Sequence, residues 1–284
     1  MNDSSATLLS SAYLNDSTSI SLIFGTGMNA AVHLPVTALG PDKFTARPKS
    51  WHDQAEHVLV NTELSMFGKN ILPTTKWDEE LNSSHRIPDY QPFEYLITGA
   101  HLGEILRLIL VEMAAETGFL GGQLPISLQK PYSLCPQTMA IIEADDTPTL
   151  AKACAYLQNK HCFPTIPTLQ DLQYIQDLQY IQAICRCVSR RAAIYLATGI
   201  HALWKLQIGS EGVDPLESGH VSVGCNGSVI NKYPGFFERC QEYINVLTEA
   251  EGLGRGRVTL EPVYESAIRG AAVAVALAEK EETS

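Results

Sequence analysis

Apolar and polar positions follow two regimes along this chain. At its front the apolar runs are short and bounded by turn residues. Residues 20–24 (ISLIF) end in Gly25-Thr26-Gly27, residues 30–36 (AAVHLPV) carry Pro35 at a strand end or edge, and Val58-Leu59-Val60 stand before Asn61-Thr62-Glu63. Runs this short, punctuated by turn residues, predict strands. Strand, tight glycine turn and strand in succession predict antiparallel pairing at the front of a mixed sheet.

Further along, the period lengthens. Residues 93–119 place Ile105, Leu106, Ile109 and Met113 on one face of a long, largely buried helix that Gly118 can end. An acidic helical stretch covers 141–157. The unit DLQYIQ stands twice, at 171–176 and 177–182, too short for a solenoid and read as a duplication within a helix. A second long amphipathic helix covers 183–206, with Arg186, Arg190 and Arg191 on its polar face. Val221-Ser222-Val223 leads into the turn Cys225-Asn226-Gly227-Ser228. Residues 238–247 read as helix, 258–262 as strand and 266–280 as an alanine-rich closing helix. No Pro/Ser/Gly linker interrupts the alternation, so one α/β domain over 1–284 is expected.

Composition narrows the function classes. Among 284 residues, Lys+Arg total 20 against Asp+Glu 31, a net charge of −11 that argues against nucleic-acid and anionic-membrane partners. The seven cysteines are an odd number without a C-x-x-C pair, which excludes a secreted disulfide framework; Cys185-x-Cys187 reads as core packing. The eight histidines show no ligand spacing, so no metal site is expected. Neither a basic, apolar leader nor a membrane-length apolar run is readable, and a cytoplasmic protein is expected.

The candidate chemistry gathers at the front. The glycine-flanked Thr26 follows a strand, where backbone N–H groups can meet phosphate oxygens; a plain strand-ending turn explains the same residues. Asn29, Glu63 (VNTELSMF) and Glu94 (PFEYLITG) are polar side chains among apolar neighbours. With Asn2, two carboxamides and two carboxylates suit a polyhydroxylated ligand, while each glutamate alone also fits a surface or helix-start residue.

A family resemblance rests on these residues. IFGTGMNAA, VNTELSMFG, TKWDEELN, FEYLITGAHLGEILR, LQKPYSL, SRRAAIYLATGI, NGSVINKYPGF and ESAIRGAAVAVAL resemble, in order and spacing, motifs of fungal-type hexokinases, from Asn2 to about Lys280. The resemblance implies the α/β fold of the actin-like (ribonuclease-H-like) phosphotransferases, specifically their large C-terminal lobe, a mixed sheet with flanking helices. It implies ATP-dependent phosphorylation of a hexose at its 6-hydroxyl, with Mg²⁺ on the phosphates. Asn2-Asp3 matches the family's Asn-Asp pair, with Asp3 as general base; Asn29, Glu63 and Glu94 match further sugar ligands. Gly25 and Thr26 match the second phosphate loop, Gly99 lies in a matched motif on the nucleotide side, and Gly227-Ser228 matches the turn bordering the adenosine pocket. Gly270-Ala271-Ala272 matches the small-residue connecting helix.

The departures are also specific. The family places a first phosphate loop and most of a small lobe before the Asn-Asp pair, so a separate or missing N-terminal small lobe is expected as partner. Asn226 stands for an aspartate, Leu64-Ser65 for an aromatic-glycine pair and Cys135-Pro136-Gln137 for an Asp-Thr-Ser-like stretch. Residues 265–269 (ESAIR) replace a glycine-rich entrance to the closing helix. A catalytically impaired, sugar-binding regulatory relative is therefore the alternative expectation.

Overall fold

A computed structural model of the chain describes residues 1–122, 124–161 and 172–282. Cys162 and Asp171, the latter opening the first DLQYIQ unit, lie outside the described residues. The elements run α1 (Asp3–Leu14), β1 (Thr18–Phe24), β2 (Met28–Pro35), α2 (Lys49–Gln54), β3 (His57–Asn61), α3 (Lys76–Ser84), α4 (Pro92–Ile97) and α5 (Gly99–Thr117). There follow α6 (Pro136–Ala144), α7 (Ala151–Lys160), α8 (Leu172–Ser210), β4 (Val221–Asn226), α9 (Ser228–Lys232), α10 (Phe236–Ala250), β5 (Val258–Pro262) and α11 (Ser266–Glu282).

The five strands form one mixed sheet in the order β3-β2-β1-β4-β5. β2 pairs antiparallel with β1 and β3, and β4 pairs parallel with β1 and β5. Hence β1, β3, β4 and β5 all end at one edge of the sheet, where β2 begins. Such carboxyl edges are where open α/β sheets hold ligands.

The sheet's two faces differ in chemistry. Ile20, Leu22, Phe24, Val32 and Val223 are fully buried on one face, toward α8 and α10. The Phe24 ring stacks on Phe236 at 5.3 Å, and Trp204 of α8 is buried completely. The other face takes α1, with α11 beyond it. Here the buried residues of α1 are largely Ser4, Ser5, Thr7, Ser10 and Ser11. Ser21 Oγ donates to the Ser4 carbonyl at 2.7 Å, while Thr7 and Ser266 hydroxyls meet at 2.7 Å. The approach is close: a Cβ on Gly270 would lie 1.9 Å from the Ala6 carbonyl oxygen.

Several elements depart from the expected ones. The front strands stand where expected, but α1 precedes them unannounced, because its buried face is largely hydroxylic and leaves no apolar period to read. The helix expected over 93–119 breaks at Thr98, which is extended (ψ 162) between α4 and α5. The stretch 141–157 divides into α6 and α7, because Asp145 accepts from the Thr147 amide at 3.0 Å and the Ala153 amide at 2.8 Å. Leu150, before α7, is left-handed at φ 52. α8 extends well beyond 183–206 at its front. Arg191 is not a solvated polar-face residue: its guanidinium grips Asp78 of α3 at 2.6 and 2.7 Å. No described helix is long and apolar enough to cross a membrane.

Candidate active site

One group of candidate residues is joined by hydrogen bonds at the start of α1. Asn2 caps that helix: its Oδ1 accepts from the Ser4 amide at 2.9 Å and the Ser4 hydroxyl at 2.7 Å. Asp3 is therefore the first helical residue, where the helix dipole favours a carboxylate, and it is exposed. Ser4 Oγ stands 3.3 Å from Asn61 Oδ1 at the end of β3, and Asn61 Nδ2 donates to Glu63 Oε1 at 2.6 Å. A single row thus connects Asn2, Ser4, Asn61 and Glu63. Glu63 is left-handed at φ 50, a strain of about 1–3 kcal/mol for a non-glycine residue, and its carboxylate is exposed.

The β1–β2 turn gathers a second group. Glu94, in the first turn of α4, accepts from the Met28 amide at 2.9 Å. A Cβ on Gly27 would stand 2.9 Å from Glu94 Oε2, so glycine there makes room for the carboxylate. Burial raises the pKa of Glu94, and the Met28 N–H opposes part of that rise. Asn29 follows, half-buried, its Oδ1 accepting from the Ala30 amide at 2.8 Å. In register Asn29 pairs with Ile23, which pairs with Asn226, so these three cross the sheet side by side.

The glycine positions meet beside them. The amides of Gly99 and Ala100 donate to the carbonyls of Gly25 and Thr26 at 2.9 and 3.0 Å. These amides at the start of α5 are thus taken by the hairpin, and Gly99 contributes through close packing. A Cβ on Gly99 would lie 2.8 Å from the Gly25 oxygen. Across the strands, a Cβ on Gly25 would lie 3.1 Å from both the amide nitrogen and the Oγ of Ser228. Gly227 has φ +138, and a Cβ there would fall 2.2 Å from the Phe24 oxygen. The turns after β1 and β4 are therefore in contact, with the Thr26 and Ser228 side chains exposed. Backbone polar groups and two hydroxyls at such an edge can cradle an oxyanion.

Beyond Ser228 a cavity of about 400 Å³ opens, where Pro136, Gln137 and Ala140 of α6 line one side and Ser228, Lys232 and Tyr233 the other. Asn226 Nδ2 donates to Ser266 Oγ at 2.9 Å, and Ser266 meets Thr7 of α1. An aspartate in place of Asn226 could only accept there. Among the described residues no group of three or more His, Cys, Asp or Glu side chains could hold a metal ion. The opening Asn2-Asp3-Ser4 and the Gly25-Thr26-Gly27 turn are readable as candidates from sequence, whereas Asn61 and Ser266 have no site role there. Asn61 stands two residues before Glu63, and its nearness to that candidate ligand was the available signal.

The chain's likeness to known proteins bears on this arrangement. A family described as hexokinase matches residues 19–277. Hexokinase-2 of Candida albicans is 30% identical over 285 residues, covering 99% of this chain and 54% of that protein. Glucokinase-1 of Saccharomyces cerevisiae is 30% identical over 254 residues, covering 83% of this chain and 49% of that protein. Among solved structures, a hexokinase from Schistosoma mansoni complexed with glucose aligns with a TM-score of 0.77 at 24% identity, over 97% of this chain and 57% of that one. The chain spans about half the length of the curated relatives it matches. The structural likeness shows the fold, an α/β mixed sheet with flanking helices shared with those hexokinase structures.

Proposed function

The chain belongs to the hexokinase family, and on that premise we propose that it is the large-lobe domain, over 1–284, of an ATP-dependent hexose kinase. Asn2, Asp3, Asn29, Glu63 and Glu94 hold the sugar hydroxyls. Asp3 accepts the proton of the 6-hydroxyl as that oxygen attacks the terminal phosphorus of ATP, and ADP leaves. Its exposure at a helix start suits this role, since a base must reach its substrate. Gly25, Thr26, Gly227 and Ser228 border the phosphates and the adenosine, with Gly99 packing the hairpin in place. Mg²⁺, held mainly by the nucleotide's phosphates and water, would neutralise charge on those phosphates. A small lobe closing over the sugar belongs to this reading, as partner or as part of the same protein.

The observation that carries the proposal is the hydrogen-bonded row Asn2–Ser4–Asn61–Glu63 at the same sheet edge as the Glu94–Met28 bond. Both groups stand at the edge where β1, β3, β4 and β5 end, which supports reading them as parts of one site. Family membership favours transfer over the alternative of a sugar-binding regulator that has lost it. Nucleic acid is no partner of so acidic a chain. A cytoplasmic setting suits the free Cys135, Cys154, Cys185, Cys187, Cys225 and Cys240.

Calorimetric titration with glucose, the sugar of the Schistosoma complex, tests the site. Glu63→Ala and Glu94→Ala are each expected to weaken binding by about 1–3 kcal/mol, the cost of leaving polar partners unpaired. Unchanged affinity in both would remove the sugar site.

A further inference from the structure

Behind the cavity between α6 and α9 lies a carboxylate bonded to one of its lining residues, Tyr233. Gln137 and Ala140 line the cavity from α6, and Glu143 follows at the same helical spacing, on the same side of that helix. The Glu143 side chain is only 7% exposed and is held from three other elements. Its Oε2 accepts from the Ser189 hydroxyl of α8 at 2.7 Å and from the Tyr233 hydroxyl, just past α9, at 2.9 Å. Its Oε1 meets the Arg239 guanidinium of α10 at 2.9 Å. Arg239 also donates to Ser189 Oγ at 3.3 Å. Gly235, left-handed at φ +64, leaves room for this: a Cβ there would lie 3.2 Å from Arg239 Nη1. Burial, and then the Glu143 charge, push the Tyr233 phenol up, so it remains a donor.

An ion pair with a buried carboxylate and a part-exposed guanidinium is a weak source of net stability. What it supplies is fixed geometry. The Tyr233 side chain lines the cavity while its hydroxyl is tied to α6, so the spacing of α6 and α9 is set by one carboxylate. We propose that Glu143 is a positioning residue of the nucleotide site. It touches neither phosphate nor sugar and acts by holding Tyr233, and through it the wall of the cavity that adjoins Ser228. The proposal rests on the assignment of the Ser228 side to the nucleotide.

Trinitrophenyl-ATP titration, glucose calorimetry and thermal melting of Glu143→Gln and Tyr233→Phe test it. Glu143→Gln keeps the shape and weakens the grip on Arg239; Tyr233→Phe keeps the ring and removes one bond. Nucleotide affinity should fall about tenfold in the first and about threefold in the second, with glucose affinity held within about twofold. Should Glu143→Gln fail to fold, Tyr233→Phe decides alone. Equal losses of both ligands together with a lower melting temperature would make the network merely structural and overturn the proposal. Unchanged nucleotide affinity, or an unaltered chain that does not bind the nucleotide probe, would also overturn it. An unaltered chain that binds nucleotide but not glucose would instead sink the kinase reading. The positioning role would then still be judged from nucleotide affinity against melting temperature.

Discussion

His101 makes the fold acid-sensitive by an amount that can be worked out. It lies in the first turn of α5, 6% exposed, among the rings of His85 at 5.1 Å, Tyr95 at 5.2 Å and Tyr132 at 6.1 Å. Its Nδ1 is buried with no hydrogen-bond partner. Burial first, and the neighbouring His85 second, lower its pKa from 6.5 to about 4. The unfolded chain therefore takes up this proton before the folded one does. Stability from this residue is intact above the unfolded value and is lost as pH falls toward the folded value. The whole window is worth about 3 kcal/mol, of which about 2 kcal/mol is gone by about pH 5. Urea unfolding of the wild type and His101→Phe, at about pH 7.5 and about pH 5, isolates the effect. His33, His85, His161 and His201, whose pKa values burial also lowers, are present in both proteins and cancel to first order. The wild type should lose about 2 kcal/mol more than the variant between the two conditions. Equal losses would refute the reasoning.

Other perturbations address the site itself. Gly99→Ala should cost about 1–3 kcal/mol, because its Cβ would press on the Gly25 oxygen at 2.8 Å and on Val229 at 3.0 Å; an unchanged calorimetric melting temperature would contradict the packing. Glu94→Gln keeps an acceptor for the Met28 amide and removes a carboxylate whose ionisation burial disfavours. A raised folded pKa means that stability falls as pH rises from the unfolded value through the folded one. The variant should therefore be at least as stable as the wild type near neutrality, with the gap closing in acid. A gap that widens in acid would count against it.

Much of the sheet was legible because its strands are short apolar runs closed by turns: ISLIF before Gly25-Thr26-Gly27 is one, and Val221-Ser222-Val223 before Asn226-Gly227 another. The register that sets Asn29 level with Ile23 and Asn226 depends on pairing between distant segments, which local pattern does not encode. α1 was invisible for a different reason: a helix that buries Ser4, Thr7 and Ser11 against a sheet has no hydrophobic stripe. Asn2 followed by Asp3 was its available signal, an N-cap with an acidic first turn. The break at Thr98 arises because distant carbonyls, those of Gly25 and Thr26, take the next two amides. By contrast, the break after Asp145 was written locally, in Asp145-Asp146-Thr147-Pro148. For the candidate site, motifs name single residues, Ser4 among them, but the approach of Ser4 to Asn61 joins segments 57 residues apart, which local pattern does not encode.

The central claim is that Asp3 and the residues around it serve hexose phosphorylation. Its most direct test is ADP release from ATP with and without glucose, for the wild type and Asp3→Asn, alongside glucose affinity. The account predicts glucose-dependent release that falls by about a hundredfold or more in Asp3→Asn, with much smaller change in glucose affinity. Release that is independent of glucose, or equal in the two proteins, would contradict it.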